Sequence, residues 1–216
     1  MPASTRSDVL RWAYEKPGRY VVEDDYDSEF RYAGRLTLPL FAEDGRDRVI
    51  YLNTFSKTMV PSLRIGYMVL PPELMDAYRD QQGFYSCTVS SFEQFALAEF
   101  IDSGAFERHM NRMRNFYRKK RKALLKALRE SPLARRSTIE EYAAGTHFLL
   151  RVRTDLKRTD ITQKGERLGL RISFFTDYSI CDIDMPGQVT LVVNYAAIDP
   201  GRIDDVVDRL CQVFEL

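Results

Sequence analysis

Thr54, Phe55, Ser56 and Lys57 follow the apolar run VIYLN at residues 49–53, and Arg64 lies seven residues after the lysine. Upstream, EDDYDSE at residues 23–29 places five carboxylates in seven positions at the end of another apolar run, YVVE. A calcium loop counted from Asp25 needs glycine at its sharp turn, where this chain has Phe30, so the acidic stretch reads as a solvated turn. It also suits a second chemistry. A carboxylate at a strand end, a phenol two residues on and a lysine about thirty residues later match the needs of pyridoxal 5'-phosphate. Its aldehyde takes a lysine as a Schiff base, its ring nitrogen takes a carboxylate that keeps it protonated, and its phosphate takes hydroxyls and an arginine.

Taken singly, these residues read as a surface lysine, a turn aspartate and a capping threonine. Read together and in order, they point to strand ends of an α/β sheet, where such folds place ligands. A helix over Ser4–Glu15, stopped by Pro17-Gly18, precedes the strand YVVE (Tyr20–Glu23). VIYLN and IGYMVL (Ile65–Leu70) are short and uniformly apolar, as inner strands of a covered sheet are. From Pro72 the pattern turns helical. Phe106, Met110, Met113, Tyr117, Leu124 and Leu128 mark one long helix over Ala105–Glu130. EEYAAGTHFLLRV, a helix near Asp160–Leu168, RISFF, VTLVV and a last helix from about Pro200 to Phe214 make a smaller α+β unit. The division falls at residues 1–104 and 105–216.

Several functional classes lose support. With 32 Lys+Arg against 31 Asp+Glu, the field of the whole chain selects neither nucleic acid nor an anionic membrane. The long helix carries ten basic residues against Glu107 and Glu130, a run that could steer DNA phosphates but, without interleaved exposed aromatics, reads as a solvated face. Cys87, Cys181 and Cys211 lack metal or disulfide spacing, and His109 and His147 have no ligand-spaced partner, so no metal is expected. His147 could line a cleft but reads as a hydrogen-bonded structural residue, and Phe84, Tyr85 and Phe92 could edge a pocket but read as core. No apolar stretch approaches membrane-spanning length and no signal-peptide core is present, so the expected location is the cytoplasm.

VVEDDYDSEFRY (21–32) with YLNTFSKTMVPSLRIGYMVLPPEL (51–74) resembles fold-type I aminotransferases. With SFEQFALAEFIDSGAFERHMNRMRNFYRKKRKAL (91–124), the likeness is nearest to the aminotransferase-like domain of MocR-type regulators in the GntR superfamily. The resemblance implies an α/β chain forming part of a fold-type I transferase: the C-terminal portion of the large cofactor domain, then the small domain. It implies Lys57 as Schiff-base lysine, Asp24 on the pyridinium nitrogen, Tyr26 on the ring's phenolic oxygen, and Thr54, Ser56 and Arg64 on the phosphate. It implies an amine or amino acid effector, a homodimer, and DNA binding only through a winged helix-turn-helix outside this chain. Two departures stand beside it. The chain begins near the middle of the large domain, without the ring-stacking aromatic. In LVVNY (191–195), Val192 replaces the arginine that grips a substrate carboxylate, which argues against ordinary transamination unless Arg171 or a partner chain substitutes.

Overall fold

A computed structural model of the chain describes residues 3–25, 29–30, 38–56, 58–60, 62–141, 145–179 and 186–216. The chain divides into two compact units, one comprising Met1–Glu29 with Gly34–Met110, the other Phe30–Ala33 with Asn111–Leu216.

In the first unit α1 (Ala3–Tyr14) leads to β1 (Val21–Asp24), the one-turn α2 (Leu40–Glu43), β2 (Val49–Thr54) and β3 (Gly66–Val69). α3 (Pro72–Gln82) and α4 (Ser91–Asp102) follow. β1 pairs parallel with β2, matching Asp24 to Leu52, and β2 pairs antiparallel with β3, matching Thr54 to Gly66. Gly66 suits that place because a Cβ there would stand 3.2 Å from the Asn53 carbonyl oxygen. The parallel pair needs a crossover, and its entry is fixed by Asp44: the carboxylate accepts from the Tyr14 hydroxyl and the backbone N–H groups of Arg46, Arg48 and Val49.

Leu10, Leu40 and Val49 form the buried cluster of this unit, a small core. Two expectations fail here for one reason. All four residues of β3 are exposed, so it is not an inner strand of a covered sheet, and Phe84, Tyr85 and Phe92 are 73, 66 and 81 % exposed rather than core. Apolar character predicts that a residue wants burial, but among the described residues nothing covers these side chains.

The long helix α5 (Ala105–Glu130) runs where the periodicity placed it. Gly104, at φ +68°, makes the turn between α4 and α5 in a conformation that favours glycine.

The second unit has the larger core. α5 presents Leu124, Leu125 and Leu128 to a sheet ordered β4 (Ser137–Glu140), β5 (His147–Arg153) and β6 (Gln188–Asn194), all antiparallel. α6 (Arg158–Arg167) contributes Ile161, and α7 (Ile203–Val213) contributes Ile203, Val207 and Cys211. Strand β4 escaped the sequence reading because STIE is short and only partly buried. RISFF is not a strand; it meets β6 through a single bridge from Phe174 to Leu191, and Phe175–Tyr178 then coil into a 3-10 turn. The basic run on α5 is not wholly solvated. Lys120 is buried and donates to the Ala196 carbonyl at 2.7 Å, and Arg121 and Arg129 share the Glu141 carboxylate. Burial pushes the Lys120 ammonium below its ordinary range, with Asp199 opposing.

Candidate functional site

The carboxyl ends of the parallel strands β1 and β2 lie side by side. Side chains alternate along a strand, so Asp24 shares a sheet face with its partner Leu52 and with Thr54 two residues on, while Glu23 and Asp25 face the other way. Three of the five carboxylates have partners away from that face. Glu23 accepts from the Leu40 and Phe41 N–H groups at 2.7 and 2.9 Å, capping α2. Asp25 accepts from the Tyr51 hydroxyl at 2.9 Å, and Asn53 joins Tyr51 to Glu29. Burial, with Asp25 adding to it, pushes the Tyr51 phenol far above its ordinary range, so Tyr51 stays a neutral donor. Asp24 is exposed and makes no such bond with a described residue.

The turn after β2 is built by its own hydroxyls. Thr54 donates to the Ile65 carbonyl at 3.1 Å and Ser56 to the Leu63 carbonyl at 2.6 Å, which closes the 54–65 loop on either side of Arg64. Thr54 Oγ1 also lies 3.2 Å from Ser56 Oγ. The Phe55 N–H bonds the Ile65 carbonyl at 3.0 Å. Arg64 is exposed and pairs with no described acidic residue. The hydroxyls thus brace the loop around an exposed guanidinium, and each would have to turn its single O–H away from a carbonyl to donate to an anion.

Lys57 and Tyr26 lie outside the described residues. The residue after the lysine is informative: Thr58 is 1 % exposed, and its carbonyl stands 2.9 Å from His109 Nε2. His109, on the first turns of α5, therefore ties the Thr58 backbone to that helix. Sequence spacing gave no sign of this bond, because its partners are 51 residues apart.

Chemically, the described polar groups fit the poles of pyridoxal phosphate: one open carboxylate, two hydroxyls and one arginine along neighbouring strand ends. Val192, on β6, pairs with Leu149 and lines a cavity of the second unit together with Arg171. The described residues contain no metal-ligand cluster and no helix long and apolar enough to cross a membrane.

The sequence model of the aminotransferase class I and II family matches residues 5–210. Among curated proteins, the chain is 45 % identical over 152 residues to the uncharacterized HTH-type transcriptional regulator YhdI of Bacillus subtilis, covering 70 % of this chain and 32 % of that one. It is 36 % identical over 203 residues to the probable rhizopine catabolism regulatory protein MocR of Rhizobium meliloti, covering 93 % of this chain and 40 % of that protein. The chain therefore spans less than half the length of these relatives.

Among solved structures, a Pyrococcus horikoshii kynurenine aminotransferase superposes with a TM-score of 0.82 at 28 % identity, over all of this chain and 52 % of that one. The α-aminoadipate aminotransferase LysN of Thermus thermophilus superposes at 0.78 and 27 %, over 99 % of this chain and 54 % of that one. The architecture is part of the fold-type I arrangement of pyridoxal-phosphate aminotransferases. By its match from residue 5 to residue 210, the chain belongs to the aminotransferase class I and II family.

Proposed function

We propose that this chain is part of an effector-sensing, aminotransferase-like region of a transcriptional regulator, and that it holds pyridoxal phosphate through Lys57. The observation that carries the reading is the open carboxylate of Asp24 beside the Thr54–Ser56–Arg64 cluster on adjacent strand ends, in a chain with valine at 192. Likeness to helix-turn-helix regulators supports it from outside.

When bound, pyridoxal phosphate supplies an electrophilic carbonyl and an electron-withdrawing ring. Asp24 accepts the ring N–H and, as a carboxylate, keeps the proton on that nitrogen. Arg64 takes the phosphate as a guanidinium fork, with the Thr54 and Ser56 hydroxyls turning from the 63 and 65 carbonyls to donate to it. Lys57 is the covalent anchor and Tyr26 a donor to the phenolic oxygen. An effector amine would be recognised where Lys57 would anchor the group. Val192 offers no charge to an α-carboxylate, so an amine or amino acid is sensed with little turnover. Such binding changes a population of dimer states, and DNA is reached through a winged helix-turn-helix outside this chain.

A second reading is an aminotransferase in which another cation holds the carboxylate, favoured by the solved aminotransferases that share the fold. Absorbance titration with pyridoxal phosphate, followed by amino acids, separates the two. The regulator reading expects a bound-cofactor band that needs Lys57 and little conversion of amino acid to keto acid. Rapid conversion overturns it in favour of the enzyme, and a band unaffected by Lys57→Ala removes the proposed anchor.

A further inference from the structure

The basic residues of α5 divide into two groups. Lys120 is committed to the Ala196 carbonyl, Arg121 and Arg129 to the Glu141 carboxylate, and Arg118 donates to the Asn115 side chain at 2.8 Å. Arg112, Lys119, Lys122 and Lys126 are exposed. The first three make no hydrogen bond or ion pair with a described residue, and Lys126 has only a long contact of 3.9 Å to exposed Glu130. At about 100° per residue, these four fall within about 80° of arc, opposite Leu124, Leu125 and Leu128, which pack into the core. From Arg112 to Lys126 the helix rises about 21 Å.

Between Glu107 and Glu130 the helix has no acidic residue, so its own sequence does not neutralise this stripe. Lys119 and Lys122 stand three residues apart and Lys122 and Lys126 four apart, where like charges destabilise a helix. A polyanion laid along the stripe relieves that repulsion. The kind of polyanion follows from what the stripe lacks. A helix that binds an anionic bilayer inserts an apolar face, and the apolar face of α5 is buried in the core. Protein interfaces are depleted in lysine at their centres. A phosphate backbone, by contrast, is gripped by lysine and arginine without apolar contact, and one strand of a duplex offers about six phosphates over the same length.

We propose that the face of α5 formed by Arg112, Lys119, Lys122 and Lys126 lies along the phosphate backbone of duplex DNA, a contact that reads no base sequence. The inference deepens the regulator reading and rests on it for the choice of DNA as the polyanion. It gives this chain a contact of its own, in addition to those of a winged helix-turn-helix. All four residues belong to the second unit.

The test is a fluorescence-anisotropy titration of a labelled duplex of about 30 base pairs and arbitrary sequence with the chain, at about 25–200 mM salt and without pyridoxal phosphate. Contacts from these four residues predict a slope of log K against log salt of about −3.6. Arg112→Gln combined with Lys119→Gln, Lys122→Gln and Lys126→Gln should bring the slope close to zero and weaken binding by about tenfold or more at about 50 mM salt. A second variant removes the same charge elsewhere in the unit, through Arg135→Gln, Arg136→Gln, Lys157→Gln and Arg167→Gln, all at exposed positions, and should bind as the parent does. Glutamine keeps helix propensity, and circular dichroism matching the parent chain verifies that both variants are folded. Polyglutamate should bind more weakly than the duplex. Absence of salt-dependent duplex binding, equal loss in the two variants, or tighter binding of polyglutamate overturns the proposal. The regulator reading fails by a different result, rapid conversion of amino acids once the cofactor is added, so the two failures are distinguishable.

Discussion

Asp44 fixes the start of the strand that carries the candidate site, and its replacement has a calculable cost. Its carboxylate accepts from the Tyr14 hydroxyl at 2.7 Å, from the Arg46 N–H at 3.0 Å, from the Arg48 N–H at 2.5 Å and from the Val49 N–H at 2.7 Å. Val49 is fully buried, so its N–H has no water to replace a lost acceptor. Asp44→Ala strands four donors. Hydrogen bonds to charged groups contribute roughly 1.5–3 kcal/mol each when buried, but Asp44 is partly exposed and water recovers the outer donors. The net cost is about 2–3 kcal/mol. With a urea m-value of about 2 kcal/mol/M, the midpoint falls by about 1 M. Trp12, the single tryptophan, sits on α1 two residues from Tyr14, so its fluorescence reports this unit.

The pH dependence gives an independent check. Burial alone raises the Asp44 carboxyl, but the Tyr14 hydroxyl and the three N–H groups outweigh it and leave it below its ordinary range. A carboxylate lowered in the folded state contributes stability that is present above the unfolded value, about 3.9, and lost as pH falls through the folded one. The gap between the parent chain and Asp44→Ala should therefore be full at pH 7 and narrow below about pH 4. Midpoints agreeing within about 0.2 M at pH 7, or a gap unchanged at pH 3, would refute the reasoning.

Two further outcomes are expected. Lys120 is a buried ammonium with its folded value lowered, so the unfolded state binds more protons between the folded and unfolded values. Stability of the parent chain should rise as pH approaches about 10.4, and Lys120→Met should flatten that rise in thermal melts. Phe92 and Phe95 are 81 and 76 % exposed on α4, so the chain should self-associate with increasing concentration in light scattering. Phe92→Ser with Phe95→Ser should shift association to about tenfold higher concentration, the loss of somewhat over 1 kcal/mol of apolar contact; an unchanged mass profile would place the contact elsewhere.

The elements that sequence made legible are those whose own pattern carries enough information. α5 repeats its apolar residues over 26 positions and was found to the residue, and β2 is a continuous apolar run ending at a polar turn. β4 is four residues with no run at all, and it becomes a strand because β5 supplies its partner. RISFF has the composition of a strand, yet Asp177 accepts the Phe174 N–H at 2.9 Å and turns the chain into a 3-10 coil. At the site, residue types and order were visible as chemistry, and Asp24 and Thr54 share a sheet face because β1 and β2 pair in parallel register. The bond from His109 to the Thr58 carbonyl was not visible, since no local pattern couples two residues so far apart. The exposed aromatics mark the limit of composition: it states a preference for burial and says nothing of what does the burying.

The proposed cofactor anchor is tested most directly by incubating the chain with pyridoxal phosphate, reducing with borohydride and mapping the modified peptide by mass spectrometry. Lys57 as the principal modified residue, with modification reduced by Asp24→Ala and by Arg64→Ala, is the predicted result. Label spread evenly over surface lysines, or unaffected by Asp24 and Arg64, would contradict the account.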